Sequence, residues 1–392
     1  MEVNNNNEPE AAADINAIDN PIMNDYDDNL LEIDYLGGRL DNDYRWYGEE
    51  SLRHNPNPPH YIIPNRPFRV RIHSSTTVIA LKAFYNCTML TEIIFHTNVT
   101  AIGPYALEYC SNLQRIELPE GLLSLGLEAF NGCKSLQEIV IPVSVQFIDF
   151  AAFDACKSLQ RVVFAPTANI ELGGKIFSGC SQLRSVTLPL KLESIPEGLF
   201  QDCTSLTRLQ IPASVEEFGR GAFSGSAIQS IEIVDKDGMV AHHSDDVLIM
   251  LPPKLQSIPR DCFGNCKSLT RIRIPVSVQQ IGENAFSGSG LRSITILDYV
   301  REIGPKAFRD CSSLEKVTIY SYNNRIIANG IFADCPSLSV IRIYPWLWSK
   351  LFASMEGHPE FILKFFRQYQ THIFEFEPPT DVMSIRLLRR LR

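Results

Sequence analysis

The sequence predicts an α/β solenoid of about eleven 23-residue coils. A parallel sheet would line its concave side, short helical turns its convex side, and helices would cap the C-terminal end. Three observations carry this prediction. An aromatic or apolar residue, usually after alanine, recurs at Phe84, Leu107, Phe130, Phe153, Phe177, Phe200, Phe223, Phe263, Phe286, Phe308 and Phe332, at spacings of 23, 23, 23, 24, 23, 23, 40, 23, 22 and 24. A fixed period in this range marks a stack in which each unit buries its apolar face against its neighbours. Within a period, residues such as Ile116 and Leu118 alternate with polar ones and precede Pro119, which describes a short strand with one buried face, ended by a residue without an N–H. Finally, a cysteine or serine follows the aromatic position by three residues in every coil, as in Ala129-Phe130-Asn-Gly-Cys133, the spacing of one helical turn.

The elements follow in chain order. Residues 1–45 are rich in Asn and Asp and poor in large apolar side chains, so a disordered acidic leader is expected. The first fifty residues hold fourteen Asp and Glu against Arg39 and Arg45, about −12, whereas the rest holds 34 basic and 31 acidic side chains. Residues 46–66 place Trp46, Tyr47 and Tyr61 among prolines and are expected to form an N-terminal cap, because the first coil would otherwise expose a sheet edge. The solenoid itself spans residues 67–344. Its 40-residue interval carries about 17 extra residues, read as a β-hairpin near 235–251 with His242-His243-Ser-Asp-Asp at its tip. After Ile343, Phe361, Ile362, Phe365, Phe366 and Tyr369 recur at helical spacing. This predicts a helical cap over 345–377, with a dimerisation or partner helix as the alternative. Residues 378–392 form a basic tail that ends Ile385-Arg-Leu-Leu-Arg-Arg-Leu-Arg392.

The repeat unit L-x-x-I-x-[IL]-P-x-x-[VL]-x-x-I-x-x-x-A-F-x-x-C, clearest in Leu136–Cys156 and Leu269–Gly288, resembles the BspA-type (Treponema-type) leucine-rich repeat. The resemblance covers roughly residues 67–344. It implies a leucine-rich-repeat solenoid and is nearly silent on function, although some members of that family act as surface adhesins. A hairpin insertion between repeats is also a feature that the resemblance implies.

The chemistry-bearing residues point away from catalysis. Nine of the ten cysteines fall three residues after the repeat aromatic position, where a small buried side chain is wanted; zinc needs four ligands converging from paired cysteines. The histidines are scattered with respect to the repeat, and only His242, His243, Asp245 and Asp246 cluster. No Gly-rich phosphate loop, H-E-x-x-H or G-x-S-x-G occurs. No cofactor or metal is expected. The nearly balanced body argues against nucleic acid. No apolar run is long enough to span a bilayer. The polar, acidic start lacks the pattern of a secretory or mitochondrial signal, so a cytoplasmic location is expected.

What remains is the sheet face. The outward position before the first buried strand residue reads Glu92, Arg115, Glu138, Arg161, Ser185, Arg208, Ser230, Arg271, Ser293, Lys316, Val340. Its first four members alternate in sign, which favours stacking by roughly 0.2–1 kcal/mol per pair. Further along, Arg184, Arg208, Arg271, Arg273, Arg292, Lys316 and Arg342 lie on or beside strands, with Glu232 and Glu315 as the main opposing charges. These seven cations, with His242 and His243, are the candidate partner-binding residues, suited to an acidic or phosphorylated protein. The expected function is a non-enzymatic protein–protein interaction scaffold. A cell-surface adhesin or receptor is the alternative, and an enzyme with an unrecognised site a remote one.

Overall fold

The computed structural model describes residues 31–35, 37, 39–40, 45–47, 61–62, 65–240, 249–320, 330–343 and 373–375. Over these residues the chain is a stack of three-sided coils. The first side is the predicted strand. Glu138–Ile141 pairs in parallel with Arg161–Phe164, setting Ile139 beside Val162 and Ile141 beside Phe164. Both strands begin exposed, and their alternate residues are buried. The second side is a two-residue strand. Phe147–Ile148 lies between Ser124–Leu125 and Glu171–Leu172. Coils approach so closely just beyond this strand that a Cβ on Gly219 would sit 2.2 Å from the Glu197 amide nitrogen.

The third side departs from expectation. The Ala-Phe-x-x-Cys segments are not helical turns, and no described residue is in a helix. Glu128 and Gly132 flank Phe130 with φ of 50° and 71°, and a left-handed residue at each end prevents a right-handed helix from propagating. The amides alternate instead. Those of Glu128, Phe130 and Gly132 donate to the carbonyls of Phe150, Ala152 and Asp154 in the next coil, at 3.0, 2.7 and 2.8 Å. Those of Ala129, Asn131 and Cys133 donate three residues back, to Gly126, Glu128 and Phe130. The same alternation surrounds Phe177, between Lys175 (φ 55°) and Gly179 (φ 68°). A helix would have satisfied these amides internally; the turn uses half of them to bond coil to coil, so all three sides are stitched by backbone hydrogen bonds.

The core is the predicted column of aromatic rings. Phe130 stacks on Phe153 with centroids 5.0 Å apart and planes 4° from parallel, and Phe286 stacks on Phe308 at 5.1 Å and 4°. All the cysteines of the repeat position are buried free thiols. Each from Cys110 onward donates to the carbonyl of the preceding coil's aromatic-position residue, as Cys156 Sγ does to Phe130 O at 3.2 Å. Ser226 and Ser289, which replace cysteine in two coils, are equally buried and contact Cys266 and Cys311 Sγ at 3.7 and 3.4 Å.

The ends differ from expectation. Leu31–Tyr35, placed in the disordered leader by composition, is a strand paired in parallel with Phe68–Ile72. Tyr35 is buried, and its ring lies 4.9 Å from that of Phe84, so it heads the aromatic column. Around the expected 46–66 cap, Arg39–Leu40, Arg45–Tyr47 and Tyr61–Ile62 form a small antiparallel sheet. The C-terminal helical cap is not supported: Ile373–Glu375 is a strand paired in parallel with Val340–Ile343. The rest of 345–377, with the 378–392 tail, lies outside the described residues.

Of the hairpin read near 235–251, residues 241–248 lie outside the described residues. The chain turns at Asp235–Met239, closed by an antiparallel Val234–Val240 bridge. Ile249–Met250 joins the stack in parallel with Ile272–Arg273. Ile231 occupies the column of Leu209, and Ile249 the column of Ile272. This coil therefore supplies two rungs to the strand face but only one ring, Phe263, to the aromatic column, where it stacks on Phe223 at 5.2 Å.

Candidate binding face

Register places the charged row as the sequence implies. Glu92 lies beside Arg115, Glu138 beside Arg161 and then Ser185, Arg208 beside Ser230, and Ser293, Lys316 and Val340 in succession. A second outward column runs beside it. In the N-terminal half this column includes Ile94 and Val140, exposed by 36% and 50%. Toward the C-terminal end it reads Thr295, Thr318, Arg342, with Glu375 beside Arg342 by register.

The two halves of the face differ in how their cations are answered. Arg161 pairs with Glu138 at 3.2 Å. Arg69 lies between Glu32 at 3.6 Å and Glu92 at 3.9 Å, and Arg71 also pairs with Glu32. Sequence reasoning missed this N-terminal cluster, because Glu32 was assigned to the leader. Its signal was the alternation Leu31-Glu-Ile33-Asp-Tyr35, which repeats the strand pattern of the coils. Arg115 sits between the Glu92 and Glu138 rungs without an ion pair among the described residues.

Of the seven predicted cations, Arg184, Arg208, Arg271, Arg273 and Arg292 are exposed, and Lys316 and Arg342 are partly exposed. Among the described residues, Arg184, Arg208, Arg273, Arg292 and Lys316 have no carboxylate within 4.0 Å. Glu232, the acid nearest in register, accepts instead from Gln210 Nε2 at 3.2 Å. Register sets Arg208 and Lys316 in the first outward column and Arg273 in the second, while Arg184 and Arg292 each lie one residue before the first column. His242 and His243 lie outside the described residues.

Elsewhere, burial pushes the Cys87 and Cys266 thiols up to about 12, so they stay protonated and are poor nucleophiles at neutral pH. On the turn face, Asn131 Nδ2 donates to Glu128 at 2.9 Å and to Glu108 at 3.2 Å. Burial, and then the charge of Glu128, hold the Glu108 carboxyl above its ordinary range. Among the described residues, no three His, Cys, Asp or Glu side chains converge as a metal site would require, and no helix is long and apolar enough to cross a membrane.

The family model for the BspA type leucine-rich repeat region matches residues 68–171, 124–240 and 247–347, in six copies. Similar solved structures include a leucine-rich repeat protein from Bacteroides ovatus, 27% identical over 79% of this chain and 84% of that one, with a TM-score of 0.48. The leucine-rich repeat protein of T. pallidum is 34% identical over 41% of this chain and 76% of its own, with a TM-score of 0.38. A leucine-rich cell surface protein from Faecalibacterium prausnitzii is 24% identical over 80% and 81% of the two chains, with a TM-score of 0.49. No curated protein sequence matches the chain.

Proposed function

Because this chain belongs to the BspA type leucine-rich repeat family, we propose that it is a non-enzymatic scaffold holding a protein partner against its strand face. The carrying observation is the set of five cations, Arg184, Arg208, Arg273, Arg292 and Lys316, that meet no carboxylate among the described residues. Cations held on rigid rungs about 4.8 Å apart form a template for successive acidic or phosphorylated side chains of a partner. The backbone stitching on all three sides favours this use, because the template loses little conformational entropy on binding. We place the protein in the cytoplasm, since a reducing compartment preserves thiols that donate to backbone carbonyls.

The test is affinity capture from the native source with wild type beside the variant Arg208→Glu, Arg273→Glu and Lys316→Glu. A protein retained by wild type and lost by the variant is then purified and titrated against both. The expected result is at least a tenfold loss of affinity, about 1.4 kcal/mol, that shrinks as salt is added. Equal affinity of the purified partner for both chains would overturn the assignment of this face.

A further inference from the structure

Residues 1–30 carry eight carboxylates, Glu2, Glu8, Glu10, Asp14, Asp19, Asp25, Asp27 and Asp28, and no Lys or Arg. We infer that this segment of the same chain is the first occupant of the basic half of the strand face, and that a partner binds by displacing it. The inference rests on the proposed function of that face and adds its regulation.

Three observations converge on it. The charges are complementary: a segment with acids and no Lys or Arg on one side, and on the other five cations that meet no carboxylate among the described residues. The segment is anchored at the correct face. It enters the fold at Leu31–Tyr35, the first rung of the sheet, and Glu32 within that rung already sits on Arg69 and Arg71. A carboxylate from the acidic N-terminal region thus docks on strand-face arginines in the described structure. The reach is also sufficient. From the Leu31–Tyr35 rung to Arg208 is about seven rungs, or roughly 34 Å, and to Lys316 about twelve, or roughly 58 Å. A chain extended at about 3.3 Å per residue covers about 40 Å by Asp19 and about 95 Å by Glu2. Chain length thus lets the acids from Glu2 to Asp19 reach the whole basic half, while the reach of Asp25, Asp27 and Asp28 ends within the N-terminal coils. Tethering of this kind gives an effective concentration in the millimolar range, enough for a weak electrostatic contact to compete with a partner in trans.

The experiment keeps the chain at full length. In one protein all eight carboxylates of residues 1–30 become amides, Glu to Gln and Asp to Asn; the other is wild type. The probe is a fluorescent synthetic peptide of residues 1–30, with a twenty-residue polyglutamate peptide as a second probe. In about 50 mM salt, where surface charges are least screened, the leader peptide should bind the neutralised protein about tenfold more tightly than wild type, whose own leader occupies the face. Adding Arg208→Glu, Arg273→Glu and Lys316→Glu to the neutralised protein should abolish that binding, and about 500 mM salt should erase the difference. Equal affinity of the leader peptide for both proteins overturns the inference. If polyglutamate also binds both equally and the charge reversal abolishes it, the face remains an acid-docking surface without an internal occupant. If neither peptide binds either protein, the inference and the proposed acid-docking role fall together. Unchanged circular dichroism and melting temperature across the variants exclude misfolding as the cause.

Discussion

Phe130 is fully buried in the aromatic column and stacks on Phe153. Truncation to alanine leaves a void whose walls belong to a stitched backbone with little freedom to collapse. Phe130→Ala should therefore cost about 3–5 kcal/mol in urea-induced unfolding, and a loss below about 1 kcal/mol would refute the packing. Glu108 behaves oppositely, because its native environment opposes ionisation. It is 5% exposed and its carboxyl is held above the usual range by burial and by Glu128. The folded chain keeps a proton there over a pH interval in which the unfolded chain has lost it. Stability contributed by this group is therefore complete below the ordinary carboxylate pKa and declines as pH rises through the raised one. Glu108→Gln keeps a neutral side chain at all pH values. It should raise the melting temperature by about 1–3 °C near pH 8 and leave it unchanged near pH 4; an increase of equal size at both pH values would contradict the ionisation argument.

The strands were legible in the sequence because their cause is local: Ile116 and Leu118 alternate with Arg115 and Glu117, and Pro119 ends the run. The turns were misread because Phe-x-x-Cys spacing is shared by a helix and by the tight turn found here. The missed signal lies two residues after the aromatic position, where Asn86, Gly132, Gly179, Asp202, Gly225, Asn265, Gly288, Asp310 and Asp334 recur, all with positive φ. Asn, Asp and Gly are the residues that tolerate this conformation. Gly179→Ala separates the two structures by sign. An added Cβ would meet Ala155 Cα at 3.5 Å, an ordinary contact, so the conformation alone decides. A left-handed position predicts a loss of about 1–2 kcal/mol, whereas a helix would gain about 1 kcal/mol. Thermal unfolding of the variant distinguishes the outcomes. The terminal strands were missed for a different reason: Leu31–Tyr35, despite its alternation, and Ile373–Glu375 stand outside the 23-residue repeat, and each pairs with the edge that the coils present.

At the scale of the molecule, composition revealed the charge asymmetry, and period gave the columns in which the charges lie. Neither could reveal which cations are answered, because pairing depends on rotamers and on Glu32, whose strand is set by a tertiary contact. The insertion was likewise beyond a local pattern, since Ile249–Met250 resembles a hairpin arm until its neighbour Ile272–Arg273 is placed beside it. Its geometry reaches furthest. Where one coil lays two rungs on one side and a single ring on another, the layers cannot remain parallel, and the rod must splay there like an opened fan by about one strand spacing, ~4.8 Å. The extra rung falls between Arg208 and Arg273, so their strands stand three spacings apart where the aromatic column counts two steps, Phe223 to Phe263 to Phe286. A ligand that engages the cations on both sides must leave a wider gap between its acidic groups there than elsewhere.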